Sequence, residues 1–241
     1  MTADKRMLFE FSVPTPQGYN EFDILPTYQE SKKDTSQENQ LFLNHLLSKG
    51  EKLREIGSQS LRTFQPGQLI YHQMNRSLTF AQSQQLATLA RLTHPRHFDT
   101  RRYDEKTEIL IPGGLVLGIA ISTSSRDLHE ILHEELLSCS YINSLHPGDI
   151  VSSMSYVKSV DENESWDLEN IIVRTVAVKN FDLARELKDG LPAELFTGEA
   201  KYTRDVERIC KERCPELSHK IVLQCDRRIL RQSCRSDIFL L

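Results

Sequence analysis

The sequence predicts an α+β fold in which an antiparallel sheet wraps around one buried helix. The stretch Leu110 to Ile121 is apolar nearly all round, which is typical of a short buried helix. Strand-like stretches follow it at Leu136 to Ser144, Ile150 to Val160 and Asn170 to Val178, and another closes the chain at Lys220 to Arg231. A single buried helix followed by several strands predicts a sheet that curves around that helix.

The predicted domain begins with a turn, a strand and a helix. The strand covers Leu69 to Leu78, where side chains alternate. Thr79 is a suitable N-cap for a helix over Phe80 to Arg91. Pro95 disfavours helix at the preceding residue and predicts an ordered loop there. The residues expected to be buried in this helix are Phe80, Leu86, Leu89 and Ala90.

The sequence divides into one core domain and its additions. We assign residues 62–233 to the domain, 1–61 to an N-terminal extension and 234–241 to a tail. The extension has a proline-containing loop followed by leucines at helical spacing, in a helix that Gly50 could interrupt. Residues 180–217 are charged and helix-prone, which indicates an insertion before the last strand.

Composition excludes several classes of function. Of the 241 residues, 39% are hydrophobic and 27% are charged, as in an ordinary globular protein, and the net charge of -4 gives no reason to expect nucleic acid as a partner. No apolar run approaches the roughly 18 residues of a membrane span, and the start does not resemble a secretory signal. With 5 cysteines, an odd number, we expect free thiols and a cytoplasmic location.

Three motifs in a fixed order carry a resemblance to a known family. Leu86 to Asp99 reads Leu-Ala-Thr-Leu-Ala-Arg-Leu-Thr-His-Pro-Arg-His-Phe-Asp, Ile111-Pro-Gly-Gly-Leu115 follows, and a His146-Pro-Gly-Asp149 turn comes later. This order resembles the active-site loop, helix start and turn of the MaoC-like hydratases and dehydratases, which have the hotdog fold. The segments that look most like the mesaconyl-CoA hydratase (beta-methylmalyl-CoA dehydratase) branch are Gly67-Gln68, His72, Asp127-Leu128 and Arg228 to Arg231.

The resemblance implies reversible addition of water to an enoyl thioester of coenzyme A or an acyl carrier protein, by a homodimer without a separate cofactor or metal. His97 matches the catalytic histidine, and imidazole can exchange a proton with water near neutral pH. Gly113 and Gly114 match the helix start at which a backbone N–H holds the thioester carbonyl. We expect Asp99 to contribute to substrate binding.

Leu92 departs from the family pattern because it stands where the catalytic Asp is expected. Leucine can neither hold nor deprotonate water. Either His94 shares the work with His97, or an acid comes from elsewhere, or hydratase activity has been lost. The candidates for such an acid are Asp99, Asp104 and Glu105.

The leading hypothesis is therefore a hydratase or dehydratase, with branched or dicarboxylic acyl groups implied by the mesaconyl-CoA branch, in which His97 transfers the proton and His94 assists. The runner-up is a noncatalytic acyl-thioester-binding or partner protein, and a hotdog thioesterase is third. A fourth alternative is a zinc metallopeptidase, because His129-Glu130-Ile131-Leu132-His133 matches H-E-x-x-H.

Overall fold

The computed structural model describes residues 35–56, 63–128, 130–163, 168–187, 190–198 and 202–233. The helices are α1 Thr35–Ile56, α2 Phe80–Leu89, α3 Gly113–Ser125, α4 Glu194–Thr197 and α5 Thr203–Arg213, with 3-10 turns at Pro95–His97 and Pro215–Leu217. The strands are β1 Leu69–Ser77, β2 His133–Tyr141, β3 Ile150–Asn163, β4 Leu168–Lys179 and β5 Ile221–Gln232. They form one antiparallel sheet in the order β1-β3-β4-β5-β2.

The central helix α3 packs on one face of the sheet, as the sequence predicts. Its first half forms an apolar cluster with side chains of β3, β4 and β5. The members of this cluster include Val116, Ile119, Ala120, Val151, Ala177 and Leu223. The helix is not buried on every side, however, because Gly114, Gly118 and Ser122 are exposed. A single sheet covers only one side of a helix, which explains the open stripe.

The insertion covers the opposite face of the sheet. Since side chains alternate between faces along a strand, Val176 and Val178 point away from α3 and pack against α4 and α5. Arg174 fixes this layer: it forms a bidentate pair with Asp226 at 2.7 and 2.9 Å and donates to the Gly198 carbonyl. The predicted helical insertion is thus a layer on the sheet face opposite the central helix.

Helix α1 is continuous through Gly50, so the suggested interruption is wrong. Gly50 is buried, and a Cβ there would lie 2.7 Å from Oε1 of Gln232. A glycine at this position lets the helix approach β5 closely. Leu46 is buried beside Leu132 and Leu168. The predicted proline-containing loop and the C-terminal tail lie outside the described residues.

Helix α2 corrects a second expectation. The predicted Thr79 cap is confirmed, as Thr79 and Gln82 form a capping box. The buried residues are nevertheless Ser83 and Ala87, whereas Leu86 and Leu89 are 38% and 79% exposed, Phe80 is half-buried and Ala90 is exposed. The helix packs through its small residues because no described element covers its leucine side.

Strand β2 starts earlier than its composition predicts. His133 pairs with Leu230, and the acidic Glu134 and Glu135 lie within the ladder to β5. Long-range pairing with β5 therefore imposes strand structure on a segment that is not strand-like by itself. Among the described residues, no helix has the length and apolar character needed to cross a membrane.

Candidate active site

The loop that carries His97 is fixed against the segment leading into α3. The His97 Nδ1 lies 2.8 Å from the Leu110 carbonyl oxygen, and the Leu110 N–H donates to the Arg96 carbonyl at 3.0 Å. A carbonyl can only accept, so Nδ1 carries the proton and Nε2 of the neutral ring has a free lone pair. The half-buried His97 ring is therefore oriented as a proton acceptor a few residues before the helix start.

His94 lies beside His97 with the opposite polarity. Its Nδ1 accepts a hydrogen bond from the Arg96 N–H at 3.2 Å, so its proton is on Nε2. The two ring centroids are 6.0 Å apart, and the His94 side chain is exposed. The pair presents one acceptor and one donor nitrogen. Within the described part of the chain, no carboxylate forms a hydrogen bond or ion pair with either imidazole.

The two glycines at the start of α3, Gly113 and Gly114, have different surroundings. Neither the Gly113 nor the Gly114 N–H has a protein acceptor among the described residues, as is usual for the first turn of a helix. A Cβ on Gly114 would meet nothing within 4 Å, whereas one on Gly113 would lie 2.9 Å from Cζ of Tyr141. Gly114 thus adjoins open space, whereas a side chain at position 113 would displace the Tyr141 ring.

The histidine of the His146-Pro-Gly-Asp149 turn holds the other side of the same segment, a contact that the sequence analysis did not predict. The His146 Nδ1 lies 2.8 Å from the Ile109 carbonyl oxygen, and the Ile111 N–H donates to the Leu145 carbonyl at 2.9 Å. Adjacent carbonyls of an extended segment point to opposite sides. The segment before α3 is therefore held by His97 on one side and by the His146 turn on the other.

The acidic residues near the loop have structural partners. Asp99 forms ion pairs with Arg101 at 3.6 Å and Arg102 at 3.3 Å. Asp104 accepts hydrogen bonds from Thr107, which lower the pKa of its carboxyl. Leu92, at the expected Asp position, is 38% exposed. The direct substrate contact of Asp99 stays a prediction, while its observed role is to shape its own loop.

Among the described residues, a second well-connected polar cluster lies under the C-terminal half of α3. The resemblance had drawn attention to His72 and Asp127, but the sequence analysis did not predict that they form a cluster. His72 is 3% exposed, and its Nδ1 lies 2.6 Å from Oδ2 of Asp127. Its Nε2 lies 2.8 Å from the Ser155 hydroxyl, which is 2.8 Å from the Thr175 hydroxyl. Burial lowers the pKa of His72, against the weaker raising effect of Asp127. His72 is therefore a neutral ring that donates to Asp127.

Arg227 extends this chain across the sheet. Its guanidinium donates to Thr175 at 3.1 Å, Ser124 at 2.6 Å and Glu134 at 2.7 Å, and its side chain is 0% exposed. The resemblance named His72 and Asp127 of this network, but nothing in the sequence analysis pointed to Ser155, Thr175 or Arg227 as their partners.

Asp127, His72 and Ser155 are connected in the order of a serine hydrolase triad. The Ser155 side chain is nevertheless 0% exposed, beneath α3, and its hydroxyl also bonds to Thr175. A substrate carbonyl has no route to this oxygen in the described structure. The cluster therefore belongs to the core, and it gives no support to the thioesterase alternative.

The H-E-x-x-H motif does not form the helix that a zinc site of this type requires. His129 lies outside the described residues, but Glu130 has a φ of 67° and His133 opens β2. Two histidines must share one face of a helix to bind zinc through this motif, so the helical reading is wrong. In the described ranges, no three His, Cys, Asp or Glu side chains converge as metal ligands.

Known structures share the architecture of this chain. A putative MaoC domain protein dehydratase from Chloroflexus aurantiacus J-10-fl is 22% identical, with a TM-score of 0.57 over 75% of this chain and 47% of that one. A conserved hypothetical protein from Mycobacterium tuberculosis, described as having a double hotdog fold, is 16% identical, with a TM-score of 0.47 over 76% of this chain and 44% of that one. A MaoC-like dehydratase from Rhodospirillum rubrum is 11% identical, with a TM-score of 0.47 over 70% of this chain and 94% of that one.

The comparisons define the fold class. The chain has the hotdog fold, here an antiparallel sheet with a central helix packed on one face, and it spans about half the length of the Chloroflexus protein, 47%. No protein-family model matches the chain. No curated protein matches it either. Its similarity to MaoC-like proteins is thus one of structure at low sequence identity.

Proposed function

We propose that this chain catalyses the reversible hydration of an enoyl thioester or the dehydration of the corresponding 3-hydroxyacyl thioester. The observation that carries the proposal is the hydrogen bond from His97 Nδ1 to the Leu110 carbonyl, at 2.8 Å. It orients the free lone pair of a half-buried histidine beside the start of α3, where two amide donors have no acceptor in the described structure. A base and a set of oxyanion donors are the two parts that this reaction needs.

In the proposed mechanism, a water molecule binds between the two histidines. Nε2 of His97 accepts a hydrogen bond from the water, and Nε2–H of His94 donates one to it. His97 takes a proton from the water as its oxygen attacks the β carbon of the substrate. The electron pair of the double bond moves towards the thioester, and negative charge develops on the carbonyl oxygen. The amides of Gly113 and Gly114, at the positive end of α3, stabilise that charge.

The reaction is completed when His97 returns a proton to the α carbon, so that water has been added across the double bond and the imidazole is neutral again. This scheme needs no carboxylate at position 92, because His97 takes and returns the proton itself. The role left to His94 is to position the water. We propose that this is how the chain tolerates Leu92.

The proposal also includes the substrate, oligomeric state and location that the sequence analysis led us to expect. They are a branched or dicarboxylic acyl group carried by coenzyme A or an acyl carrier protein, a homodimer and a cytoplasmic location. The exposed stripe of Gly114, Gly118 and Ser122 and the free edge of β2 are compatible with pairing of two copies. Sedimentation of the purified full chain would measure its oligomeric state.

The proposal is tested with a panel of thioesters that includes crotonyl-CoA and mesaconyl-CoA. Loss of the enoyl-thioester absorbance without release of free thiol is the expected result. Release of thiol would instead identify a thioesterase. Binding of the thioesters without turnover would favour the noncatalytic alternative that Leu92 raises.

A further inference from the structure

Tyr141 lies at the end of β2, directly over the start of α3. A Cβ built on Gly113 would be 2.9 Å from Cζ, 3.0 Å from Cε1 and 3.3 Å from the hydroxyl oxygen of Tyr141. It is therefore the hydroxyl end of the ring that covers this glycine. Tyr141 is also 51% exposed, so a ligand at the helix start can reach it.

The Tyr141 hydroxyl lies on the side of Gly113 towards which the first N–H groups of α3 point. Cα–Cβ bonds in a helix lean towards the N-terminus, which is also the direction in which the first N–H groups point. An oxygen close to the Cβ position of Gly113 therefore borders the space into which the amides of Gly113 and Gly114 are directed. The open side of Gly114, where an added Cβ meets nothing within 4 Å, leaves room for an acceptor between them.

We propose that the Tyr141 hydroxyl is an additional hydrogen-bond donor to the thioester carbonyl, acting with the backbone amides at the start of α3. This inference rests on the proposed function and adds a residue to it. The carbonyl oxygen has two lone pairs, and the amides and the phenol approach it from different elements, α3 and β2. Both donors would strengthen their bonds as negative charge develops on that oxygen.

The surroundings of Tyr141 keep it protonated. Burial, together with the neighbouring Cys139 and Cys225 thiols, raises the pKa of Tyr141 to about 12. The phenol is therefore a neutral donor throughout the range in which the enzyme would work. Because the Tyr141 hydroxyl also hydrogen-bonds with the Cys139 thiol, its O–H bond would turn from that sulfur towards the carbonyl oxygen when substrate binds.

The test compares Tyr141→Phe with the wild type, and with Tyr202→Phe as the matched control. Phenylalanine keeps the ring over Gly113 and removes only the oxygen, whereas Tyr202 is 69% exposed at the start of α5. We expect kcat for crotonyl-CoA to fall on the order of a hundredfold in Tyr141→Phe, as for other single oxyanion donors, with little change in KM. Tyr202→Phe should behave as the wild type.

A vibrational measurement gives a readout that packing alone would not change. Butyryl-CoA labelled with carbon-13 at the thioester carbonyl has no double bond to hydrate, and its carbonyl band should lie at lower frequency when bound to the wild type than when bound to Tyr141→Phe. Equal bands in the two proteins, or equal kcat in an active enzyme, would overturn the role of Tyr141 alone. A wild type that neither binds nor hydrates thioesters would overturn the proposed function and this inference with it.

Discussion

A histidine lies near each end of the central helix α3, and the surroundings of the two histidines differ greatly. Near the C-terminal end, His72 is 3% exposed and bonds to Asp127 and Ser155. Near the N-terminal end, His97 is half-buried and bonds to a backbone carbonyl, and no carboxylate bonds to it in the described structure. The first histidine has the arrangement of a hydrolase triad, and the second is partly exposed, as the proposed function requires.

This difference shows that connectivity alone does not identify a catalytic group. A buried polar group needs all of its hydrogen bonds, because an unpaired one costs about 1–3 kcal/mol. His72 meets that requirement, because both of its ring nitrogens are hydrogen-bonded, and it forms part of the core. A group that works on substrate must instead keep a bonding position free, as Nε2 of His97 does.

The largest effect expected is on catalysis, from His97→Ala. Loss of a general acid-base typically lowers the rate by about 10²- to 10⁴-fold, and hydration of crotonyl-CoA should fall by this range. The free energy of unfolding should change by less than about 1 kcal/mol, since the ring makes one hydrogen bond to the backbone. Unchanged turnover would contradict the assignment, and His72→Gln should show the reverse pattern.

The next effect is on stability, and two neighbouring arginines provide a matched pair. Arg227 and Arg228 each contact a glutamate at 2.7 Å, but their side chains are 0% and 46% exposed. Arg227→Met should lower the free energy of unfolding by about 3 kcal/mol, because Glu134, Ser124 and Thr175 all lose a buried charged donor. Arg228→Met should cost less than about 1 kcal/mol. Urea titrations measure both, and equal losses would argue against a structural role for the buried network.

A smaller effect is the pH dependence that His72 brings to stability. Burial lowers its pKa in the folded state, whereas the unfolded chain binds this proton below about pH 6.5. As pH falls through that value, the unfolded state gains protons first, so stability declines until pH passes below the lowered pKa of the folded state.

The variant His72→Gln isolates this contribution. It should be less stable than the wild type at pH 7.5 but lose less stability between pH 7 and pH 5. Urea midpoints measured across this range would show converging curves. Parallel curves for the two proteins would mean that His72 does not titrate differently on folding.

The smallest stability effect is expected at Gly114. Alanine there has free space, and it is a better helix former than glycine by about 1 kcal/mol. Gly114→Ala should therefore keep or slightly raise the melting temperature while raising KM for crotonyl-CoA. Gly113→Ala is the comparison, because its Cβ would displace the Tyr141 ring and should therefore lower kcat for crotonyl-CoA rather than raise KM. The same KM for wild type and Gly114→Ala would place the substrate elsewhere.

The sequence by itself determined most helices and strands, and it determined much of the candidate site at the start of α3. Thr79 specifies its helix start through a local capping box, and the apolar stretch after Pro112 specifies the central helix. His94 and His97 lie close together because Pro95 starts a short local turn between them. These features depend on residues that are near each other in the chain, so their pattern is visible without the fold.

Only the tertiary structure decided which side chains meet across the sheet. His72, Ser155, Thr175 and Arg227 come from four different strands, and their register follows from the pairing of those strands. Tyr141 reaches Gly113 for the same reason, since β2 and α3 are brought together by β5 and the core. Strand register is set by the burial of whole faces, and a local pattern cannot specify it. The loop histidines could therefore be identified from sequence, while the contacts of the buried network and of Tyr141 could not.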